Sequence, residues 1–229
     1  MARPRRLAIL FDLDGTLVDT VPFILEAVHH AFEGAPRHPT DAEWISGIGT
    51  PLRTQLAEFA AGPEDVERLF ERYRAFWLAH HDGRTRAFPG ALEVVRALAE
   101  AGHPIGVVTA KIETGAIRTL RHTGLLPFVN PTAIIGADSC ANAKPHPEPV
   151  LLALARLDRP PEEALLVGDS PHDLAASRAA GVKAVGATWG ASSREALAAT
   201  AHHLLDDLRA LPALVEELER ARAAGGSGA

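Results

Sequence analysis

LAILFDLDGTLVD, residues 7–19, carries the strongest structural signal in this sequence. The run Leu7–Phe11 has the length and apolar character of a strand that is buried on both faces. Asp12 and Asp14 follow it directly, and Gly15 allows the backbone to turn sharply. Because ligands of open α/β sheets bind beyond the carboxyl ends of the strands, this acidic turn is a candidate active site.

The same pattern, a short apolar run followed by a helical stretch, recurs along the chain. The later predicted strands are Ile105–Val108, Ala133–Ile135, Leu165–Val167 and Lys183–Val185. The predicted helices are Ala91–Ala101, Glu113–Thr123, Glu148–Leu157 and Leu174–Ala180. This alternation is typical of an α/β fold with a parallel sheet.

Residues 20–87 contain no strand-like run and are interpreted as an insertion. Their helical patterns cover Pro22–Phe32, Pro51–Phe59 and Pro63–His81, and Phe88-Pro89-Gly90 marks the return to the alternating pattern. We therefore expect a catalytic core made of residues 1–19 and 88–223, with a helical domain at 20–87. The last predicted helix is Leu211–Ala223, and the glycine-rich residues 224–229 are expected to form a flexible tail.

The composition narrows the choice of partners and compartment. The 229 residues are 47% hydrophobic and 23% charged, and the formal net charge is −6. Such a chain lacks the basic footprint of a nucleic-acid-binding protein, and no apolar stretch is long enough to span a bilayer. Cys140 is the sole cysteine, which is typical of a reducing compartment. We expect a cytoplasmic protein with no nucleic-acid or membrane partner, and the sequence leaves the oligomeric state open.

Polar residues also follow the other predicted strands. Thr109 comes after the second strand, Lys144 lies in a proline-bounded loop, and Asp169 and Asp173 follow a later strand. Each has an ordinary structural interpretation, because threonine and aspartate cap helices and a loop lysine is usually solvated. Their joint occurrence at four strand ends favours a single site over these separate interpretations.

The four motifs, in this order, resemble those of the haloacid dehalogenase superfamily of phosphohydrolases. The string DLDGTLVDT at residues 12–20 is the most specific part of the resemblance. It implies a Rossmann-like parallel β-sheet core flanked by helices, with residues 20–87 as the family's inserted all-helical cap. Opening and closing of the cap would hinge near Asp19–Val21 and Ala87–Pro89.

The resemblance also implies catalytic and metal-binding roles. Asp12 would be the nucleophile that forms an aspartyl-phosphate, and Asp14 would protonate the leaving oxygen and then activate water. Mg²⁺ would be held by Asp12, by the main-chain carbonyl of Asp14 and by Asp169. Asp173 would complete the metal site, either directly or through water.

The resemblance further implies three positions that bind phosphate. Thr109, Lys144 and the backbone N–H near Ala110 would contact the phosphoryl oxygens of a small phosphorylated substrate. The residue at position 14 is an aspartate, whereas dehalogenases of the family resemble one another in carrying an aromatic residue there. This difference argues against carbon–halogen cleavage.

One segment of the insertion bears on substrate choice. Ser46–Arg53 resembles the specificity loop of phosphoglycolate phosphatases and of related pyrophosphatases. Arg53 would then bind a substrate carboxylate or second phosphate, although an ordinary surface arginine is the interpretation we favour. We expect a small-molecule phosphatase, with 2-phosphoglycolate as the first substrate to test and pyrophosphate the next. The alternatives are a sugar phosphomutase, an inorganic pyrophosphatase, or a non-catalytic phosphate-binding module, which would have no need of Asp14.

Overall fold

The computed structural model describes residues 5–225. The strands are β1 (Ala8–Phe11), β2 (Val18–Asp19), β3 (Arg86–Ala87), β4 (Ile105–Val108), β5 (Ile134–Ile135), β6 (Ala164–Gly168), β7 (Lys183–Ala187) and β8 (His203–Leu205). The α-helices are α1 (Val21–Phe32), α2 (Asp41–Ser46), α3 (Leu52–Ala57), α4 (Pro63–Arg84), α5 (Ala91–Glu100), α6 (Glu113–His122), α7 (Glu148–Leu157), α8 (Pro171–Ala179), α9 (Arg194–Ala198) and α10 (Leu211–Gly225).

Six strands form a parallel sheet in the order β5-β4-β1-β6-β7-β8. The expected α/β fold with a Rossmann-like parallel core is therefore confirmed. The strand β1 lies between β4 and β6, and its last residue, Phe11, is in register with Val107 and Val167. The segments that leave these three strands consequently start from the same edge of the sheet.

The side chains of β1 alternate between two apolar cores. Ile9 and Phe11 belong to a cluster that includes Val95 of α5 and Leu120 of α6. On the opposite face, Ala8 and Leu10 belong to a cluster with residues of α7 and α8. Because helices cover both faces of the sheet, the sequence of β1 is continuously apolar rather than alternating.

The helices α1–α4 form a separate layer that is joined to the sheet through a short ribbon. In this ribbon β2 and β3 are antiparallel, with Val18 paired to Ala87 and Asp19 paired to Arg86. The layer has its own apolar cluster, in which the rings of Phe32, Trp44 and Phe59 pack against one another. Both predicted hinge segments adjoin the ribbon.

Some elements differ from the sequence-based expectation. The helix α4 continues to Arg84, three residues beyond the predicted end at His81. The helix α2 was not predicted, although Thr40 and Glu43 form a capping box at its start, a recognisable signal. The strand β8 was also missed, because its three residues at the edge of the sheet are too few to give an apolar run.

The tail predicted at residues 224–229 lies mostly outside the described residues. Ala224 and Gly225 belong to α10 rather than to a flexible tail, and residues 226–229 lie outside the described residues. Between residues 5 and 225, no helix combines the length and the apolar character that a membrane span requires.

Candidate active site

The predicted site residues come together at the carboxyl edge of the sheet. Asp12 follows β1, Thr109 follows β4 and Asp169 follows β6, and the backbone N–H of Asp12 donates to the carbonyl of Val167 at 2.9 Å. The loop before α7 brings Lys144 to the same place. The parallel topology therefore brings these side chains together at one edge of the sheet.

Lys144 lies at the centre of the site and is only 4% exposed. Its Nζ donates to Asp12 Oδ1 at 2.7 Å, to Asp173 Oδ1 at 2.5 Å and to the carbonyl of Val108 at 3.1 Å. Burial alone would lower the pKa of the ammonium, but the carboxylates of Asp12 and Asp173 raise it above its usual value. Lys144 is thus a charged residue that connects the first and fourth motifs.

Three buried carboxylates surround this lysine. One oxygen each of Asp12, Asp169 and Asp173 lies within 4.8 Å of the other two. Burial raises the pKa of Asp12, and the carboxylates of Asp173 and Asp169 raise it further, although Lys144 opposes this. Burial and the neighbouring Asp173 likewise raise the pKa of Asp169 to about 7. In both carboxyl groups, burial and the neighbouring carboxylates outweigh the opposing effect of the Lys144 ammonium on the pKa.

This donor set fits a hard divalent cation. Carboxylate oxygens are the ligands that Mg²⁺ takes in proteins, and a cation among them would offset the charge that Lys144 leaves uncompensated. The oxygens of Asp169 are also oriented, because Oδ1 accepts from the Thr16 hydroxyl at 3.0 Å and Oδ2 from the Ala191 N–H at 2.7 Å. Asp12, Asp169 and Asp173 are therefore residues that could hold magnesium.

Gly15 is required by the close approach of the first motif to Asp169. It has a φ of +84°, and a Cβ at this position would lie 2.1 Å from Asp169 Oδ2. A side chain here would be strained and would also displace the carboxylate. The sequence suggested that Gly15 permits a turn, and the structure adds that it leaves room for a candidate metal ligand.

Asp173 serves both as a helix cap and as a site residue. Its Oδ2 accepts from the N–H of Ser170 at 3.1 Å and from the Ser170 hydroxyl at 2.5 Å, and the Asp173 N–H donates back to that hydroxyl. These bonds form the capping box of α8. Since its Oδ1 bonds Lys144, the capping and active-site interpretations of Asp173 are compatible.

Asp14 belongs to a second polar group. Its Oδ1 accepts from the Thr20 hydroxyl at 2.6 Å, and its Oδ2 lies 3.1 Å from Lys111 Nζ. Asp14 is thus held by residues other than Lys144, and it lines the same cavity as Asp12. Asp14 therefore lies at the cavity wall, outside the carboxylate cluster around Lys144.

The cavity lies between the sheet edge and the helical layer and has a volume of about 500 Å³. The core side contributes Asp12, Asp14, Thr109 and Ala110, and Thr109 Oγ1 accepts from the Lys111 N–H at 3.2 Å. The helical layer contributes mainly apolar and aromatic side chains, namely Ile24, Trp44, Ile48, Leu52, Phe70, Tyr73, Trp77 and Leu78. This volume falls within the usual range for small-molecule sites, about 300–1,000 Å³.

Arg53 lines the cavity but does not contact the carboxylate cluster. Its guanidinium makes two bonds to Glu67, at 2.8 and 2.9 Å, and stacks on the Phe70 ring at 3.5 Å. Its side chain is 49% exposed. The guanidinium of Arg53 is therefore held by residues of the helical layer.

Several residues that shape the site were not predicted from the sequence. Thr16 and Thr20 lie within the first motif and position Asp169 and Asp14. Lys111 comes two residues after Thr109, so its place beside a candidate phosphate-binding residue was a signal that could have identified it. The indole N–H of Trp189 donates to the Thr16 carbonyl at 3.0 Å, a contact between distant positions that no local pattern indicates.

Comparison with known proteins identifies the family. The model of the family "Haloacid dehalogenase-like hydrolase" matches residues 9–187. The pyrophosphatase PpaX of Anoxybacillus flavithermus (strain DSM 21510 / WK1) is 41% identical over 191 residues, which are 83% of this chain and 87% of that protein.

Solved structures of similar fold agree with this family assignment. A protein from Bacteroides fragilis assigned as a haloacid dehalogenase-like hydrolase matches with a TM-score of 0.82 at 27% identity, covering 90% of this chain and 100% of that one. A predicted phosphoglycolate phosphatase from Haemophilus somnus also gives 0.82, at 23% identity and with 91% and 97% covered, which supports the fold alone. Since the family model and the PpaX relative both span most of the chain, this protein belongs to the haloacid dehalogenase-like hydrolases.

Proposed function

We propose that this protein is a magnesium-dependent phosphatase that hydrolyses a small phosphate ester or anhydride through an aspartyl-phosphate on Asp12. The observation that supports this most is the buried group in which Lys144 bonds Asp12 and Asp173 beside Asp169. A structural ion pair would not need a third buried carboxylate with a raised pKa at the wall of a cavity.

The reaction would proceed in two displacements. A carboxylate oxygen of Asp12 attacks phosphorus, and the bond between phosphorus and the leaving oxygen breaks while Asp14 gives that oxygen a proton. Asp14 then takes a proton from a water molecule that attacks the aspartyl-phosphate, which releases inorganic phosphate and restores Asp12. Lys144 and Thr109 would stabilise the charge on the phosphoryl oxygens during both steps.

We assign the magnesium site to the carboxylates of Asp12, Asp169 and Asp173 together with the main-chain carbonyl of Asp14. The ion, when bound, supplies positive charge that offsets these carboxylates and the phosphoryl oxygens. The chain's own contribution is to hold the ligands in place, through the hydrogen bonds from Thr16 and Ala191 to Asp169 and from Ser170 to Asp173.

For the substrate, we propose pyrophosphate first and 2-phosphoglycolate second. The sequence motif favoured phosphoglycolate, whereas the relative at 41% identity is named as a pyrophosphatase, which supports the reverse order. Both compounds carry a second anionic group next to the transferred phosphoryl group. We further propose that residues 20–87 act as the cap that covers this substrate, with the β2–β3 ribbon at its hinge.

The test is a phosphate-release assay with pyrophosphate, 2-phosphoglycolate and p-nitrophenyl phosphate. We expect release that requires Mg²⁺, stops on addition of a chelator, and is lost by at least about a thousandfold in Asp12→Asn, because the amide cannot attack phosphorus. Asp158→Asn is the matched control, since this exposed aspartate at the end of α7 has a positive φ that asparagine tolerates.

Two results would contradict the proposal. Full activity of Asp12→Asn, or activity that persists in chelator, would exclude the mechanism. If a sugar phosphate were instead isomerised with little release of inorganic phosphate, the protein would be a phosphomutase.

A further inference from the structure

Lys111 lies between the proposed acid/base and the cap, and the proposed mechanism gives it no role. Its Nζ is 3.1 Å from Asp14 Oδ2 and 5.1 Å from the centre of the Trp77 ring in α4. The side chain is only 13% exposed, yet it lines the cavity. Lys111 therefore presents a largely buried positive charge to the substrate space.

The structure is shaped to hold this side chain. Gly115, in the first turn of α6, leaves the room that the stem of Lys111 occupies, because a Cβ there would lie 3.1 Å from Lys111 Cγ and 3.2 Å from Cδ. The backbone of Lys111 is also fixed, since its N–H donates to Thr109 Oγ1 and its carbonyl accepts from the Ala137 N–H at 2.9 Å. The ammonium is thus positioned rather than free to sample solvent.

The choice of lysine at this position is unusual for this chain. The sequence contains 23 basic residues, of which only Lys111, Lys144 and Lys183 are lysines. Two of the three lie at the candidate active site, while arginine supplies the other positive charges. A lysine ammonium is a compact charge with three N–H donors, so it can contact Asp14 and a second anion at once.

A second cation lines the same wall. Arg118 of α6 has its Cζ 5.6 Å from the centre of the Trp77 ring and bonds Asp82 Oδ1 at 3.1 Å. Lys111 and Arg118 both lie within cation–π range of this one indole. Lys111 and Arg118 therefore place positive charge in the part of the cavity wall around Trp77.

The position of Asp14 indicates which part of a substrate lies next to Lys111 and Arg118. A general acid must come within about 3 Å of the leaving oxygen that it protonates. Lys111 is 3.1 Å from Asp14, so it lies beside whatever group is attached to that oxygen. In pyrophosphate this group is the second phosphate, and in 2-phosphoglycolate it carries the carboxylate.

We propose that Lys111, with Arg118 as a second cation on the same wall, binds the anionic group that the substrate carries beyond its transferred phosphoryl group. Lys111 is then the residue that selects substrates with two anionic groups over simple monoesters, and its contact with Asp14 keeps it in place. The proposal rests on the proposed phosphatase function and adds the chemical class of its substrates.

The kinetic test compares Lys111→Met with wild type on pyrophosphate and on p-nitrophenyl phosphate, whose leaving group has no second anion. We expect the KM for pyrophosphate to rise by about tenfold or more, as for a lost charge-assisted hydrogen bond, and the KM for p-nitrophenyl phosphate to change by less than about twofold. Lys183→Met, at an exposed lysine at the start of β7, should change neither value.

A binding test separates this proposal from the proposed function. Calorimetry in Mg²⁺ would measure the affinity of wild type and of Lys111→Met for two ligands. These are methylenediphosphonate, which is not hydrolysed, and inorganic phosphate. The variant should lose about tenfold in affinity for the diphosphonate and little for phosphate. If wild type released no phosphate from any substrate, the proposed function would fail, whereas this measurement would still test Lys111.

Equal losses for pyrophosphate and p-nitrophenyl phosphate would overturn the proposal, because Lys111 would then act only by positioning Asp14. Unchanged affinity for the diphosphonate would overturn it as well. Lys111→Gln provides a second variant in case the methionine variant does not fold, and circular dichroism checks both.

Discussion

At the scale of single residues, the backbone at Gly15 limits what the first motif can accept. Gly15→Ala should destabilise the protein by more than the roughly 1–2 kcal/mol that a left-handed alanine costs, because its Cβ would overlap Asp169. Since Asp169 is a proposed metal ligand, we also expect the Mg²⁺ concentration for half-maximal activity to rise by about 10- to 100-fold. Urea unfolding and a magnesium titration of activity measure the two effects.

Gly34→Ala is the matched control for this prediction. Gly34 has a similar φ of +78°, but a Cβ there would meet no atom within 4 Å. This variant should therefore show the conformational cost alone and keep the magnesium dependence of wild type. Equal behaviour of the two variants would mean that the contact between Gly15 and Asp169 has no functional consequence.

The sequence allowed the acidic residues and Lys144 to be predicted because each lies within a short motif next to a strand. Their pairing could not be predicted in this way, since Lys144 reaches Asp12 across 132 positions of the chain. The same limit applies to Trp189, whose bond to Thr16 depends on how the loop after β7 folds back. Local patterns indicate which groups are present, and the tertiary fold decides which of them meet.

At the scale of elements, a buried histidine links helix α4 of the helical layer to helix α6, which packs on the sheet. His81 Nε2 lies 3.0 Å from the Thr119 hydroxyl, and Nδ1 lies 2.6 Å from Asp82 Oδ1. Burial lowers the pKa of His81, and the charges of Arg118 and Lys111 lower it further, although Asp82 partly opposes them. The contact between the two helices therefore favours the neutral imidazole.

This histidine makes the stability of the fold depend on pH. Because its pKa is lower in the folded protein, the unfolded chain binds the proton first as pH falls below the ordinary value of about 6.5. The free energy of unfolding should thus decrease as pH falls below about 6.5, and the decrease should end at the pKa that His81 has in the folded protein. His81→Gln should cost about 1 kcal/mol at pH 7.5 for its hydrogen bonds and less at pH 5.5.

Urea unfolding at the two pH values measures this difference, with His80→Gln as the control at the exposed neighbouring position. The control should follow the pH dependence of wild type. A His81→Gln variant with the same pH dependence as wild type would show that His81 does not titrate between the two conditions.

Helices and strands could be predicted from the sequence where their apolar residues form a continuous run or a regular repeat. The strands β1, β4 and β6 were found because burial on both faces requires continuous apolar runs. By contrast, α9 and β8 are five and three residues long, too short for a period to be recognised. They are held by packing at the edge of the sheet, which no local pattern encodes.

At the scale of the whole molecule, magnesium binding and folding should be linked. A ligand that binds only the folded state stabilises it, by about 2.7 kcal/mol at a hundred times its Kd. For a chain of this size the corresponding rise in Tm is about 5–10 °C. Wild type should show this rise on addition of MgCl₂, and it should grow with the logarithm of the concentration.

Asp169→Asn separates this linkage from general salt effects. The pKa of Asp169 is raised in the metal-free fold from its ordinary value of 3.8 to about 7, so stability is lost as pH rises between these two values, and above pH 7 the fold must keep the carboxylate charged. Asparagine removes the charge, and its amide can still pair with Thr16 and Ala191. At pH 8 without metal the variant should therefore be at least as stable as wild type, yet gain little from Mg²⁺, whereas Asp158→Asn should gain as much as wild type. A full magnesium response of Asp169→Asn in thermal unfolding would show that the ion binds elsewhere.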